Sequence, residues 1–215
     1  ITPELHVLPG IRLNLDKKDV SYNRVTYGGL QTNDPALIAL KNSVYTSQQY
    51  VADADEDNLT YNLTLAYKPN KRINAYATYS TAFKPVGVNV AGLPTVNSQP
   101  ALNLAVIKPE NVRHIELGIK TTPFDDFILN FTFFNTNIRD YQTNVQSPEL
   151  GVNRGYIANA EKVRIRGAEL DASIRAGSKF SFYGSAAYTD AQYLSFTNAP
   201  LPLEETGNTQ NNVQV

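Results

Sequence analysis

From Asn58 to Lys84 apolar and polar positions alternate almost without exception. Leu59, Tyr61, Leu63, Leu65 and Tyr67 fall on one side of an extended chain, and Thr60, Asn62, Thr64 and Ala66 fall on the other. After Pro69-Asn70-Lys71-Arg72 the alternation resumes: Ile73, Ala75, Ala77, Tyr79 and Phe83 oppose Asn74, Tyr76, Thr78 and Ser80. A period of two, broken by a short polar turn, predicts a β-hairpin whose faces meet different surroundings. Each strand approaches the roughly 9–11 residues that cross a bilayer as a tilted β-strand.

The same pattern recurs along the chain. Leu5, Val7, Pro9, Ile11, Leu13 and Leu15 oppose His6, Gly10, Arg12 and Asn14. Ile115, Leu117 and Ile119 oppose His114, Glu116, Gly118 and Lys120. After the Pro123–Asp126 turn, Phe127, Leu129, Phe131 and Phe133 alternate with Asn130 and Thr132, and the strand continues through Asn135 to Gln142 as if leaving an apolar zone for water. Ala168, Leu170, Ala172 and Ile174 oppose Glu169, Asp171 and Ser173. Beyond the Gly177-Ser178-Lys179 turn, Phe180, Phe182, Ala186 and Tyr188 oppose Ser181, Tyr183, Ser185 and Thr189. Between these strands lie long polar connections over residues 28–57, 85–109 and 146–154, and from Ser195 onward the chain is polar and reads as loop. Asp16–Asp19 reads either as a turn or, as we favour, as the point where the first strand leaves the apolar layer.

Short and long connections thus alternate. An up-and-down antiparallel meander places all short turns at one end and all long loops at the other. The predicted fold is therefore all-β: a transmembrane antiparallel β-barrel, or part of one, with about seven strands in view, or eight if Asp16–Asp19 is a turn. The face with Arg12, His114, Glu116, Lys120, Glu169 and Asp171 is assigned to a polar lumen, because unpaired charges in a solid protein core are costly. The short turns point to the periplasm and the long loops to the exterior. The rival reading is a soluble β-sandwich with a carbohydrate-binding or hydrolytic role, whose apolar faces are buried against protein.

Composition narrows this further. With 19 basic and 20 acidic residues, the charge is balanced and nothing points to nucleic acid. The absence of cysteine removes disulfides, thiolate metal sites and cysteine nucleophiles together. Thirteen tyrosines and nine phenylalanines suit strands with one half-wet boundary. The longest apolar run, Ala36–Leu40, is far short of the roughly 20 residues that a membrane helix needs. No methionine occurs and no charged-then-apolar leader precedes Leu5, so the expectation is a mature or partial segment.

Several stretches resemble one family in that family's order. Leu8-Pro9-Gly10-Ile11-Arg12 resembles the "PGLRY" opening of a strand in the C-terminal barrel of TonB-dependent outer-membrane receptors. Ala75–Pro85 resembles its "YASYSxGFKxG" strand, although Ala82 replaces the usual glycine before Phe83-Lys84. Glu116–Lys120 is similar to "ELGxK", the following FFNTNIRDYQ to "xFYxxIxDxQ", Arg166–Leu170 to "RGxEL", and Ala187–Ala191 to "AYTDA". The resemblance implies that residues 1–215 are an interior part of a barrel of roughly 22 strands, with plug domain, TonB-contacting peptide and remaining strands outside this sequence. It implies a protein of the Gram-negative outer membrane that takes up a scarce bulky nutrient, most naturally a ferric siderophore or related iron complex. Its partners would be outer-membrane lipid, its own plug, the TonB complex and the iron chelate. No cofactor and no enzymatic step are expected. A non-energised porin or adhesive barrel is the alternative within the membrane.

Candidate chemistry is sparse. Asn89, Gln99, Arg139, Tyr141, Gln142, Asn144 and Arg154 lie near the expected loop mouths and have the donors to hold a chelate or glycan. Asp53, Asp55 and Asp57 carry the carboxylates a Ca²⁺ ion needs, but the EF-hand glycine and bidentate glutamate are missing, and a solvated acidic run is the simpler reading. His6 and His114 sit on different strands and do not suggest a metal pair. Glu116 and Glu169 have the chemistry of an acid–base pair, but the simpler reading is that they hydrogen-bond Arg12, Lys120 or a plug domain within the lumen. No nucleophile elbow, phosphate loop or dinucleotide motif occurs.

Overall fold

The computed structural model describes residues 2–29, 31–44, 47–96, 99–146, 155–197 and 199. In chain order the elements are β1 (Leu5–Arg24), α1 (Pro35–Val44), β2 (Gln48–Asn70), β3 (Ile73–Lys84), β4 (Gly87–Val88), β5 (Thr95–Val96), β6 (Gln99–Pro100), a 3₁₀ turn (Leu102–Leu104), β7 (Val106–Ile107), β8 (Glu110–Phe124), β9 (Phe127–Gln146), β10 (Gly155–Ala176) and β11 (Phe180–Ser195). Seven long strands form one antiparallel sheet in the order β1-β2-β3-β8-β9-β10-β11, the up-and-down meander that the alternation predicts. The elements β4 to β7 are an insertion between neighbouring strands. Among the described residues no helix is long and apolar enough to cross a membrane, which says nothing of strands.

Register joins the apolar positions of all seven strands into one face. Val7, Leu65, Ala77, Leu117, Phe133, Ala168 and Tyr188 form a single cross-strand row. The side chains on this face are exposed, Leu63 by 43% and Phe133 by 52%. On β1 the apolar band runs from Leu5 to Leu15, and on β11 from Phe180 to Tyr188. Its upper border slides from the Leu15 row on β1 down to the Val7 row on β9 to β11. That is about 26 Å along the strand against roughly 29 Å across the sheet at standard strand spacings. The strands therefore incline by about 40° to the normal of the band, within the range of membrane-spanning strands.

Above that border the polarity of the faces inverts although no residue is inserted in the β1–β2 ladder. Val20, Tyr22, Tyr50, Ala52 and Ala54 now occupy the inner face, with Lys17, Asp19, Asp53, Asp55 and Asp57 outside. Val112, Ile138 and Val163 do the same on β8, β9 and β10. One expectation holds here and another is corrected. The favoured reading of Asp16–Asp19 as strand leaving the apolar layer holds, since β1 runs unbroken through it. The segment 28–57 is not one long loop: β2 already begins at Gln48, and α1 occupies Pro35–Val44. The inverted phase concealed the strand extension. The helix start was legible in Asp34-Pro35, where the Asp34 carboxylate accepts the Ala36 N–H at 2.8 Å and proline takes the first helical position.

The inner apolar patch is covered by residues 85–109. This strap is tied by the β4–β7 and β5–β6 pairs and places Leu93, wholly buried, against Tyr50, Ala52 and Ala105. Tyr22 stacks on Tyr50 at 4.6 Å between ring centres. Because the strap crosses the sheet's face, it cannot join the ladder, and side-chain amides take the place of backbone partners. Gln48 donates to the Leu93 carbonyl at 2.6 Å and accepts the Leu93 N–H at 2.9 Å. Asn89 donates to the carbonyls of Leu104 at 2.7 Å and Ile157 at 2.9 Å, and accepts the Ile157 N–H at 2.8 Å. Asn159 brackets Lys108 in the same way, at 2.9 and 3.0 Å. Gln142 donates to Pro85 and Lys108 carbonyls at 2.9 and 3.0 Å. Tyr50 donates its hydroxyl proton to the Asn89 carbonyl, and Lys18 reaches the Val86 carbonyl. The strap thus links β2 to β10 across the three strands between them.

Two substitutions test this architecture. Leu63→Arg places a charge within the apolar band and should cost roughly 2–4 kcal/mol in a bilayer, whereas Thr64→Arg on the polar face should cost only about 1 kcal/mol for its lost hydrogen bond to Thr78. Equal costs in lipid-reconstituted unfolding would contradict the two-solvent assignment. Asn89→Ala should loosen the strap by roughly 2–4 kcal/mol, because it orphans backbone groups on two elements. Faster hydrogen exchange at the Ile157 amide and new protease cleavage within residues 85–109 are the expected readouts. Unchanged exchange would mean that the bracket carries little.

Candidate functional site

The functional surface is the inner face of the sheet below and beside the strap. Along β3, β8, β9 and β10, the inward register brings Tyr76, Gly118, Thr132 and Glu169 into one row, and Thr78, Glu116, Phe134 and Gly167 into the next. Two glycines make room for flat aromatic rings. A Cβ on Gly118 would lie 2.4 Å from the Tyr76 ring, and one on Gly167 would lie 2.6 Å from the Phe134 ring. The glycines of the Glu116–Lys120 and Arg166–Leu170 stretches therefore have a steric cause: a neighbouring strand lays an aromatic side chain across each, and at Gly167 the Tyr188 backbone carbonyl of β11 would be closer still to the added Cβ, at 2.2 Å.

Laid down in this way, Tyr76 donates its hydroxyl proton to Glu116 at 2.7 Å, and Lys120 sits over its ring at 5.7 Å. His114 contacts Glu116 at 3.4 Å through Nε2 and Thr136 at 2.8 Å through Nδ1. Asp171 accepts the Tyr183 hydroxyl at 3.1 Å. Arg12, His114, Glu116, Lys120, Glu169 and Asp171 share the face opposite the apolar band. Within the chain, Glu116 engages Tyr76 and His114 and not Arg12 or Lys120. Tyr76, Thr132 and Thr136 were missed as members of this network because nothing in sequence spacing reports cross-strand neighbours.

The seven residues expected at loop mouths do not converge on one pocket. Asn89 is 2% exposed and Gln142 is 9% exposed, and both amides are committed to the strap, so they act as structural brackets and not as free donors for a ligand. Gln99 lies exposed at the strap's hairpin, opposite Val96. Arg139 points to the outward face in the Asn111 row, and Tyr141 packs edge-on near Tyr193 with ring centres at 6.1 Å. Asn144 is exposed on β9 opposite Ile157. Arg154 lies outside the described residues. Four of the seven, Arg139, Tyr141, Gln142 and Asn144, belong to β9, which continues past the apolar band as the sequence suggested.

Asp53, Asp55 and Asp57 alternate along the outward face of β2, where Lys17 opposes Asp55 and Asp19 opposes Asp53. Among the described residues no three His, Cys, Asp or Glu side chains are gathered as metal ligands. At the strap, burial pushes the Tyr50 hydroxyl above its ordinary range, and burial does the same to Tyr156, which packs against the separate cluster of Val145, Ala160 and Phe196. The Thr197 hydroxyl donates to Glu161 and holds its carboxyl below the usual range. Tyr50 holds the strap, while Glu161 ties the end of β11 to β10.

Comparison with known proteins places this geometry. A family model described as "TonB dependent receptor-like, beta-barrel" matches residues 1–214. The protein named "Probable TonB-dependent siderophore receptor PiuA" of Acinetobacter baumannii is 26% identical over 143 residues, covering 66% of this chain. "Probable TonB-dependent receptor BfrD" of Bordetella pertussis is 30% identical over 150 residues, covering 67% of this chain. The chain spans 18% of the length of each of these curated relatives. Among solved structures, the ferric yersiniabactin uptake receptor FyuA from Yersinia pestis superposes with a TM-score of 0.64 at 18% identity, over 93% of this chain and 26% of that one, which is a likeness of fold. Members of the family are outer-membrane receptors and transporters, not enzymes. With its apolar outward band, polar inner wall and up-and-down order, this chain belongs to the TonB-dependent receptor family, as part of the receptor's β-barrel.

Proposed function

We propose that this chain forms part of an energised outer-membrane transporter that takes up a ferric siderophore or related iron complex. The carrying observation is the two-solvent sheet. Its tilted apolar band suits lipid outside, while the inner face presents Tyr76, His114, Glu116, Lys120 and Glu169 to a lumen where a plug domain would sit. The curated relative named as a siderophore receptor supports the choice of ligand class. In this reading the short turns, which include the Arg72–Asp125 ion pair at 2.6 Å, face the periplasm. The strap and the long connections face the exterior, where the ligand arrives.

The inner wall is scaffold for the plug, so the ligand is held by groups projecting beyond the strap, among which Gln99 is exposed. Energy would come from the TonB complex acting on a plug carried elsewhere in the protein. A porin or adhesive barrel would need neither plug nor TonB. A strain deleted for the full gene should lose uptake of at least one radiolabelled ferric chelate, and a plasmid copy should restore it only where TonB is present. Uptake that persists without TonB would favour the porin. Folded product in the soluble periplasmic fraction would end the membrane reading altogether.

A further inference from the structure

The edge of β2 that faces β3 loses its neighbour where the sheet rises past the apolar band. β1 accompanies β2 from Gln48 to Tyr67, whereas β3 pairs with β2 only from Asn62 and Ser80 toward the short turn. Beyond Ser80, β3 stays with β8 as far as Lys84 and Glu110, and the chain then enters the strap on the inner face. At the parting point a side chain ends the ladder: Thr81 Oγ1 accepts the Tyr61 N–H at 2.9 Å and donates to the Tyr61 carbonyl at 3.3 Å. Tyr61 therefore directs its peptide groups away from β1. By the alternation of an antiparallel ladder, Asp57, Asp55, Asp53, Val51 and Gln49 do the same higher up. Among the described residues no strand pairs with β2 along that edge.

A row of unpaired peptide groups is a template for another extended chain. The side chains along it limit which chain can fit. Asp53, Asp55 and Asp57 stand outward and exposed, Asp19 lies across from Asp53 on β1, and Lys17 opposite Asp55 is the one cation in these rows. Among the described residues none of these carboxylates forms an ion pair. A second copy presenting the same edge would set aspartate against aspartate, and like charges directly opposite destabilise a sheet. On the inner side Asn58 is 9% exposed, and its Nδ2, like Oε2 of Glu56, is buried without a hydrogen-bond partner. With such groups Gln48 and Asn89 hold peptide units of the strap and of β10. The strap packs on Ala52, so inward positions beside this edge suit small side chains.

We infer that the β2 edge from Gln49 to Asp57 takes, by antiparallel strand addition, an extended segment of another protein that carries lysine or arginine at every second position. The peptide groups of that segment complete the ladder that β3 abandons. Its cations stand beside Asp53, Asp55 and Asp57 as cross-strand pairs of opposite charge, and its small alternate residues turn inward. The aspartates also reject acidic chains and second copies, so one set of side chains both attracts and discriminates. The edge lies above the apolar band, and the inference depends on neither lipid, the iron ligand nor TonB.

The test uses the full-length receptor in neutral detergent and a fluorescein-labelled nonapeptide of alternating lysine and alanine that begins and ends in lysine. Fluorescence anisotropy should show saturable binding to wild type. Methylating the lysine peptide nitrogens removes the donors that face β2 without changing the charge, and should weaken binding by about tenfold or more. Methylating the alanine nitrogens, which face away, should leave the affinity unchanged. The combined variant Asp53→Asn, Asp55→Asn and Asp57→Asn should bind the unmodified peptide about tenfold more weakly. Hydrogen exchange at the Asp53 and Asp55 amides should be fast in the receptor alone and slow with peptide bound. Equal affinity for the two methylated peptides would mean a contact of charge alone and would overturn the inference, as would no binding or undiminished binding to the combined variant. Slow exchange before peptide is added would give the edge to another segment of the receptor, and a receptor dimer released by the peptide would give it to a second copy; either result also overturns it. Ferric-chelate uptake, measured separately, bears on the transporter reading alone.

Discussion

In hydrocarbon an unpaired backbone N–H or C=O costs several kcal/mol, so a chain can present leucine and phenylalanine across a whole face only if its hydrogen-bond ladder is continuous. Between its neighbouring strands the sheet from β1 to β11 meets that condition across the band, and among the described residues only the outer edges of β1 and β11 lack a partner strand there. All else in the molecule hangs on this ladder. It aligns the apolar residues of seven strands into a band, and by alternation it sends the opposite residues to an inner wall. It also keeps the strands rigid where they rise past the band into water.

Past the band, the ladder remains but the solvent changes, and the side chains change with it. Outside are aspartates, arginines and lysines. Inside are Tyr22, Tyr50, Ala52 and Val163, which need cover. The strap provides that cover, and its attachment follows from geometry. A segment lying across a sheet face finds few free peptide groups there, because the ladder has taken most of them; the Ile157 peptide of β10, bracketed by Asn89, is one that remains. Gln48, Asn89, Gln142 and Asn159 solve the problem by offering a donor and an acceptor on a side chain. The result is a loop that is part of the wall and not a free flap.

This arrangement changes how the polar residues near the long connections are understood. Amides in such a place invite assignment to a ligand, yet Asn89 and Gln142 are buried and engaged by backbone groups. The inner wall is likewise organised by its own contacts: Gly118 admits the Tyr76 ring, which in turn orders Glu116, and His114 spans Glu116 and Thr136. A wall with fixed polar groups suits a neighbouring protein domain better than a diffusing substrate. The outward aspartates of β2, by contrast, border an edge that no strand covers among the described residues, and that gives them different surroundings.

The amino-acid sequence alone determined the strands within the band, their short turns, the identity of the polar face and the family. Each of these depends on local chemistry: a side chain of period two reports its own face, and Pro69–Arg72 or Gly177–Lys179 reports its own bend. The rise of β1 past Asp16–Asp19 and of β9 through Gln142 was legible, whereas the extension of β2 back to Gln48 was not, because the apolar residues there switch faces and the outward ones are charged, as in Asp53–Asp57. Nor was the strap legible as a built element, since its order comes from amides on β2, β9 and β10 that lie far away in the chain. Only the tertiary structure decided that Asn89 is a bracket, that Tyr76 lies across Gly118, and that Arg139 faces Lys162. Those are relations between strands, and a single strand's sequence carries no record of its neighbour's register.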